Sequence, residues 1–289
     1  MPAHTAGGVA AAPEGRPRRI LVATDLSEPA GAAVARAGRL ALEHGAGLTA
    51  VHVLPEQLGG DLAAHVGDRL RAHVADFAEG IPTDIAIRRG PVATQIAAEA
   101  ADRGADVVVV GAHGGDWLAD LFVGGTAANV VRTVPVPVLL VRKPATTEYR
   151  TVILAVDTTP ASAHAARFGC ALTPEAEHIM VHACTVVGER LMRIYGATEV
   201  QIEELRRTST AAAREEIGLL SETFARPPVR VIITDGHPAT KVVELADSRA
   251  ADLVVTGSGA RSPASYAFLG SVAQHVMHHA RTDVLVVPD

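Results

Sequence analysis

The sequence has little cysteine and no long apolar run, and each absence excludes a class of protein. Only two of the 289 residues are cysteines, too few for the disulfide framework of a small secreted domain. Both cysteines, Cys170 and Cys184, lie in apolar-rich stretches, so we expect buried thiols in a reducing compartment. No uninterrupted apolar segment approaches the roughly 20 residues that span a bilayer. The sequence therefore predicts a soluble cytoplasmic protein that does not enter a membrane.

Basic residues are also scarce, and lysine especially so. The chain carries 26 Lys and Arg against 32 Asp and Glu, which gives a formal net charge of -6, and the only lysines are Lys143 and Lys241. Proteins that bind nucleic acid normally present a basic face to the phosphate backbone. The charge balance therefore argues against a general nucleic-acid binder. With 48% apolar and 20% charged residues, the chain is able to bury a core.

The chain does contain an internal repeat. Residues 90–142 align with residues 236–288 without a gap, at a constant offset of 146. Nearer the start of each copy, His52 pairs with His182 at an offset of 130. The difference between the two offsets places 16 extra residues in the middle of the second copy. Their charge pattern and spacing predict a long amphipathic helix over about 197–224.

This duplication predicts the domain organisation. We expect a flexible amino-terminal tail over residues 1–17 and two domains over residues 18–143 and 149–289. The tail lacks the charged start and sustained apolar centre of a signal peptide. Within each copy, Val/Ile/Leu runs alternate with helical patterns, as expected for strands covered by helices on both faces. The predicted fold class is α/β, with two flavodoxin- or Rossmann-like domains in tandem, each with a parallel five-stranded sheet.

A glycine-rich segment, GAHGGDWLADLFVGGT over residues 111–126, follows the fourth apolar run of the first copy. Glycines at a strand-to-helix junction let the backbone form a concave nest of N–H donors. The following helix start adds a partial positive charge, so phosphate can bind there without a lysine. Since ligands of doubly wound sheets bind beyond the carboxyl ends of the strands, Asp25, Val53 and Gly111 could meet in one crevice.

With a repeated unit ending in GAHG…GGTAANVVRTVPVPVLLVR, the chain resembles a tandem member of the universal stress protein family, over residues 18–143 and 149–288. That resemblance implies an adenine nucleotide alpha hydrolase-like fold. It also implies that the closing strands PVLLVR and DVLVVPD pair, so that one chain mimics the family's dimer. A further homodimer stays open.

The ATP-binding members of that family carry Gly-x2-Gly-x9-Gly-[Ser/Thr] after the fourth strand. In the first copy Gly111, Gly114 and Gly124 match, but Gly125 stands where the hydroxyl residue belongs and Thr126 follows one place later.

The second copy departs from the motif at a different position. Gly257, Gly270 and Ser271 match, but Ala260 replaces the second glycine and Gly259 lies one residue early. Each copy therefore keeps the spacing of the motif and breaks one position.

The resemblance implies two nucleotide sites, in which the Asp after the first strand contacts adenosine, backbone after the second strand lines the adenine slot, and the glycine loop holds the phosphates. In the first copy the implied site residues are Thr24, Asp25, Val53, Gly111, His113, Gly114, Gly124, Gly125 and Thr126. In the second copy they are Asp157, Ala183, Gly257, Gly259, Arg261, Gly270 and Ser271.

The leading hypothesis is a stress-response sensor or regulator that binds ATP, with or without Mg²⁺, or another adenine nucleotide in at least one half. One alternative is a nucleotide-free scaffold whose long second-domain helix recruits a protein partner. Another is a slow phosphohydrolase that uses a metal ion at Asp116 or Asp120, since a divalent cation bridges carboxylate and phosphate.

Motifs for other chemistry are absent from the sequence. It has no Gly-x-Ser-x-Gly elbow, no Walker lysine motif, and no Gly-x-Gly-x-x-Gly fingerprint after the first strand. We therefore predict no catalytic residues and at most weak ATP hydrolysis. His275, His278 and His279 are spaced so that two of them could share a helix face and bind zinc. No cysteine or carboxylate accompanies them at ligand spacing, so we interpret them as surface histidines and predict no metal site.

Overall fold

A computed structural model of the chain describes residues 16–57, 60–112, 123–184, 189–224, 230–259 and 269–288. All but the last two residues of the predicted tail lie outside these ranges. The first copy forms β1 (Arg19–Ala23), α1 (Glu28–His44), β2 (Gly47–Leu54), α2 (Gly60–Phe77), β3 (Thr83–Arg89), α3 (Val92–Arg103), β4 (Val107–Gly111), α4 (Gly125–Thr133) and β5 (Val138–Val141). The second copy forms β6 (Thr151–Ala155), α5 (Pro160–Leu172), β7 (Glu177–Cys184), α6 (Glu189–Ile194), α7 (Glu199–Glu222), β8 (Arg230–Asp235), α8 (Pro238–Ser248), β9 (Leu253–Gly257), α9 (Ser271–His279) and β10 (Asp283–Val287).

The strands form one sheet that runs through both copies. Its order is β3-β2-β1-β4-β5-β10-β9-β6-β7-β8, so each copy contributes five neighbouring strands. Strands within a copy pair in parallel, whereas β5 and β10 pair antiparallel with Leu139 opposite Leu285. The predicted α/β class with two parallel five-stranded halves is confirmed, and the closing strands pair as expected.

Helices cover both faces of the sheet in a three-layer arrangement. The core on one face includes residues of α1, α2, α5 and α7, and the core on the other includes residues of α3, α4, α8 and α9. Successive residues of each central strand enter opposite cores, as in β4, where Val107 and Val108 lie on different faces. Both faces are therefore apolar, which explains why the strands are valine runs rather than alternating patterns.

The second copy has two helices, α6 and α7, between β7 and β8, where the first copy has α2 alone between β2 and β3. The short α6 ends before Gly196, which has a φ of +87° in the left-handed region that favours glycine. The long α7 then begins with a capping box, in which the Thr198 side chain accepts from Gln201 N and the Gln201 side chain accepts from Thr198 N. The predicted long helix over about 197–224 corresponds to α7. Within the described ranges, no helix is both long and apolar enough to cross a bilayer.

A buried polar network joins the two copies beside the β5–β10 pair. Asp283, only 1% exposed, accepts hydrogen bonds from the backbone N–H groups of Arg142 at 2.8 Å and Lys143 at 3.2 Å, and from the Tyr149 hydroxyl at 2.7 Å. Arg36 of α1 lies 3.6 Å from the same carboxylate and 4.0 Å from the centre of the Tyr149 ring. A buried charge needs such partners. The network therefore holds the segment between β5 and β6, which connects the two copies, against the sheet.

Removing the Tyr149 hydroxyl tests whether this network stabilises the fold. Tyr149→Phe should lower the free energy of unfolding by about 1–3 kcal/mol, because it removes a hydrogen bond to a buried carboxylate. Urea unfolding followed by circular dichroism measures the change. Tyr195→Phe is the matched control, because Tyr195 is 81% exposed and should unfold like the unmodified protein. Equal stability of the two variants would contradict the role given to the network.

Candidate functional site

The first copy contains a cleft beyond the carboxyl ends of its central strands. The cleft has a volume of about 470 Å³ and is lined by the ends of β1, β2 and β4 and the starts of α3 and α4. That volume lies within the range of about 300–1,000 Å³ typical of small-molecule sites. The position is the one at which doubly wound sheets bind ligands.

Seven of the nine site residues predicted for the first copy line this cleft. They are Thr24, Asp25, Val53, Gly111, Gly124, Gly125 and Thr126. The other two, His113 and Gly114, lie outside the described residues. The structure thus brings together residues separated by about one hundred positions, while their role in binding stays a prediction.

Asp25 and Ser27 shape the turn between β1 and α1. Ser27 is the N-cap of α1, and its side chain accepts a hydrogen bond from Ala30 N at 3.3 Å. Asp25 in turn accepts from Ser27 N at 3.0 Å and from Ser27 Oγ at 2.5 Å. Asp25 therefore positions the cap residue while remaining exposed at the rim of the cleft.

The two histidines that the repeat aligns occupy the same place in the two clefts. His52 Nδ1 donates to the Thr24 carbonyl at 2.8 Å, and His182 Nδ1 donates to the Val156 carbonyl at 3.0 Å. Each bond ties the second strand of a copy to the turn after the first strand. The histidines thereby hold the turns that present Asp25 and Asp157.

The glycine loop of the first copy ends at the open start of α4. Ala112 N donates to Val141 O at 2.8 Å, and Gly124 N donates to Ala112 O at 2.9 Å, so backbone bonds fix both ends of the loop. Gly124 is the N-cap of α4 and has no side chain to cap the helix. The first intrahelical bond runs from Ala128 N to Gly124 O, which leaves the amides of residues 125–127 without a helical acceptor.

The second copy has an equivalent cleft of about 340 Å³. Six of the seven predicted residues line it, namely Asp157, Ala183, Gly257, Gly259, Gly270 and Ser271. Arg261 lies outside the described residues. Gly270 is the N-cap of α9, again without a side-chain cap, and the amides of residues 271–273 precede the first intrahelical bond, from Gln274 N to Gly270 O.

Gly259 occupies a position that only glycine fits easily. Its φ is +70°, and a Cβ added there would lie 3.1 Å from the Cα of Gly270. The loop and the helix start therefore touch through two glycines. This contact gives a physical reason for a glycine one residue before the position expected from the motif. Ala260, at the expected position, lies outside the described residues.

Asp157 repeats the arrangement of Asp25 in the second copy. Its carboxylate accepts from Thr159 N at 2.8 Å and from Thr159 Oγ1 at 2.5 Å, and Thr159 caps α5. Burial raises the pKa of Asp157, but hydrogen bonds from Thr159 and Ser162 outweigh burial and leave the pKa below its ordinary value of 3.8. Asp157 is therefore ionised at neutral pH.

The described lining of both clefts contains no lysine or arginine. The charged side chains there are the carboxylates of Asp25 and Asp157, with the imidazoles of His52 and His182 nearby. Positive potential in the clefts therefore comes from main-chain amides and from the starts of α4 and α9. Asp116 and Asp120 of the first glycine loop lie outside the described residues.

Sequence reasoning missed the contribution of α3 and α8 to the lining of the clefts. Val92 and Ile96 of α3 line the first cleft, and Pro238 and Val242 of α8 line the second. Each pair is related by the offset of 146, which was the available signal. Apolar helix residues spaced four apart normally indicate core packing, so the pattern alone did not identify them.

This fold and its paired clefts define a tandem doubly wound α/β protein with a ligand-sized cleft at the strand ends of each half. The family model described as "Universal stress protein family" matches residues 17–142 and 148–288. The chain belongs to the universal stress protein family.

Individual relatives agree with this assignment. A universal stress protein of Mycolicibacterium smegmatis is 28% identical over 291 residues, which cover 93% of this chain and 96% of that protein. A universal stress protein of Mycobacterium tuberculosis is 29% identical over 188 residues, and the match covers 63% of this chain and 61% of the relative's length.

Solved structures resemble the whole chain in fold. A universal stress protein from Archaeoglobus fulgidus has a TM-score of 0.70 at 18% identity and covers 94% of this chain and 98% of its own. A functionally unknown protein from Pseudomonas aeruginosa has a TM-score of 0.64 at 20% identity, with 94% and 92% coverage. At these identities the likeness supports the tandem fold alone.

The hydrogen bonds of Asp157 predict its titration. Its carboxyl group should titrate below pH 3.8, and Thr159→Ala should move the midpoint upward, because two hydrogen bonds to the ionised form come from Thr159 and one of them is from its side chain. The ionised Asp157 carboxylate stabilises the folded protein above pH 3.8, and this contribution is lost as the pH falls through the lowered pKa. Carbon-detected NMR of the aspartate side chains measures both midpoints. Thr158→Ala is the control, and an equal shift in both variants would refute the assignment.

Proposed function

We propose that this protein is a cytoplasmic stress-response regulator that binds ATP or another adenine nucleotide, with or without Mg²⁺, in at least one of its two clefts. The observation that carries the proposal is the uncapped helix start at each cleft. Amides of residues 125–127 and 271–273 are available there to a polyanion. The lack of a cationic side chain in the described lining is compatible with this mode, since the donors belong to the main chain.

The apolar part of the first cleft's lining suits an adenosine. In the first cleft, Val92 and Ile96 present apolar surface, with Val53 at the end of β2. Asp25 lies at the rim, where a carboxylate accepts hydrogen bonds from ribose hydroxyls. An apolar slot with a few polar groups at its margin is the usual composition of a small-molecule site.

The two clefts differ in ways that favour different parts of the nucleotide. The first is larger, at about 470 Å³ against about 340 Å³, which favours the fit of adenosine. The second begins its helix with Ser271, whose hydroxyl adds a donor for phosphate, whereas Gly125 stands at the corresponding place in the first. We expect affinities that differ between the halves.

Calorimetric titration of the full chain with ATP, with and without Mg²⁺, tests the proposal. Saturable binding is expected. Gly125→Ser should increase the ATP affinity of the first cleft about fivefold, because one added hydrogen bond contributes about 1 kcal/mol. A Cβ at Gly125 meets no atom within 4 Å, so the substitution fits the fold. Gly124→Val should weaken ATP binding in the same cleft, because Gly124 lines the cleft and the valine side chain would take up space there.

Gly218→Ser provides the matched control for these variants. Gly218 lies in α7, away from both clefts, and a Cβ there also meets nothing within 4 Å. This variant should bind ATP like the unmodified chain. Absence of saturable adenine-nucleotide binding in the unmodified chain, under either metal condition, would reject the proposed function.

A second candidate function is a scaffold for a protein partner, and the surface of α6 and α7 favours it. Leu191, Ile194, Tyr195 and Val200 are between 52% and 81% exposed within ten residues of one another. Large exposed apolar side chains grouped in this way often mark an interaction site. The extra segment of the second copy therefore offers a surface that the first copy lacks.

Substitution of this surface separates the two functions. Ile194→Ser combined with Tyr195→Ser should abolish capture of a specific partner and leave ATP binding unchanged. Leu42→Ser is the matched control, because Leu42 is 66% exposed on α1 and distant in sequence from α6 and α7. Partner capture measured by co-purification would count against this surface if it survived the double substitution.

The phosphohydrolase alternative has no support from the clefts as described. It depends on Asp116 and Asp120, which fall outside the described ranges. Hydrolysis is therefore not part of the proposed function.

A further inference from the structure

A buried hydrogen bond links α2 to the turn beside the first cleft. His73 of α2 is 9% exposed and Thr24, which follows β1, is 6% exposed, and His73 Nε2 lies 3.1 Å from Thr24 Oγ1. The His73 ring contacts the Phe77 ring, with centroids 5.0 Å apart. Phe77 packs on α1, where a Cβ added to Gly31 would lie 2.3 Å from Phe77 Cζ. This close packing of α2 on α1 holds the imidazole beside Thr24.

The Thr24 side chain closes the turn that carries Asp25. Thr24 Oγ1 accepts a hydrogen bond from Leu26 N at 3.0 Å, across the single residue Asp25. Leu26 has a φ of +66°, in the left-handed region that a leucine rarely adopts. The backbone preference of Leu26 therefore opposes this turn, and the bond to Thr24 Oγ1 helps to maintain it. Asp25 lines the cleft, so its placement there depends on the turn.

The hydrogen bonds of Thr24 determine the protonation state of His73. Since Thr24 Oγ1 already accepts from Leu26 N, the hydroxyl proton needs an acceptor of its own. Among the described residues, His73 Nε2 is the group placed to accept it. An Nε2 that accepts carries no proton, so His73 is neutral with its proton on Nδ1. Protonation of Nε2 would turn this acceptor into a donor and leave the buried hydroxyl proton without its described partner.

The charged and titratable groups around His73 act in both directions. Burial lowers its pKa from the ordinary value of 6.5, Asp25 and Asp76 of α2 raise it, and His52 of β2 lowers it again. Burial is the largest of these causes and the net direction is downward, so the imidazole is neutral at neutral pH. A charged ring at lower pH would attract the Asp25 carboxylate, which the proposed function assigns to the ribose.

The second copy holds the corresponding turn in another way. Counted from the two aspartates, Val156 stands at the place of Thr24, so no hydroxyl is present there. The Ser162 hydroxyl instead donates to Asp157 O at 2.8 Å and its oxygen accepts from Asp157 N at 3.1 Å. Ser162 corresponds to Ala30 of the first copy. Unlike an imidazole, a hydroxyl does not take up a proton between about pH 5 and pH 8.

We propose that His73 is a positioning residue of the first cleft: the neutral imidazole holds Thr24 and the turn around Asp25, and its protonation weakens nucleotide binding in the first cleft but not in the second. This inference rests on the proposed function, because it concerns the regulation of the same binding site. His73 does not line the cleft, so it acts through Thr24 rather than by touching the nucleotide.

The experiment follows ATP binding to the full chain by amide chemical shifts, at pH values from about 7.5 down to about 5.5, where histidines titrate. Amides of residues 125–127 report on the first cleft and those of residues 271–273 on the second. The ATP affinity of the first cleft should fall about fivefold relative to that of the second, as expected for the loss of one hydrogen bond. The second cleft is the internal control, because it meets the same change in the protonation of ATP.

Three variants separate positioning from a general loss of structure. His73→Leu removes the acceptor and should weaken the first cleft at every pH, with the second cleft unchanged. His73→Gln supplies an amide oxygen that accepts but does not titrate, so it should recover affinity relative to His73→Leu and abolish the pH dependence. The matched control His65→Gln changes an exposed histidine of the same helix and should keep the pH dependence of the unmodified chain.

A readout without nucleotide tests the protonation state itself. Nitrogen-15 NMR of the imidazoles should show His73 with its proton on Nδ1 at neutral pH and a protonation midpoint below pH 6.5. The inference is overturned if the proton is on Nε2, if residues 125–127 do not respond to ATP, or if the ratio of the two affinities stays constant with pH. The proposed function itself fails only if neither set of amides responds to ATP at any pH, so the two failures are distinguishable.

Discussion

A short series of backbone hydrogen bonds positions both candidate sites. In each copy the closing strand accepts a bond from the residue after the fourth strand, Ala112 N to Val141 O and Ser258 N to Val287 O. The same residue then accepts from the N-cap glycine of the next helix, Gly124 or Gly270. These main-chain bonds hold the helix start at the end of the sheet. The phosphate binding proposed for the clefts depends on this placement of main-chain amides.

The antiparallel β5–β10 pair makes the two copies one structure. It covers an edge of each five-stranded half, which would otherwise expose unpaired backbone groups. Because the strands of the two halves run in opposite directions, their carboxyl ends point to opposite sides of the sheet, and each cleft lies on a different side. The connection is not symmetric. The first-copy residue that corresponds to Asp283, at the offset of 146, is Pro137, which has no carboxylate to form such a network. A fused pair allows such differences, which a symmetric dimer of identical chains does not.

The fold was predictable from the sequence because duplication and Val/Ile/Leu runs report directly on a sheet buried on both faces. The glycine spacing likewise indicated Gly111, Gly124, Gly257 and Gly270, all of which line the clefts. The cleft walls at Val92 and Pro238 and the contact of Gly259 with Gly270 were not predictable, since each depends on how separate elements pack. The same holds for the pair of Arg36 and Asp283, which are 247 positions apart and carry no local signature.

The central claim is that bare amides at the starts of α4 and α9 hold the phosphates of a nucleotide. Amide chemical shifts of the nitrogen-15-labelled protein, recorded while ATP is added, test it most directly. The account predicts saturable shifts at residues 125–127, at residues 271–273, or at both, larger than those elsewhere on the same helices. Saturating ATP that leaves both sets of amides unchanged would contradict it.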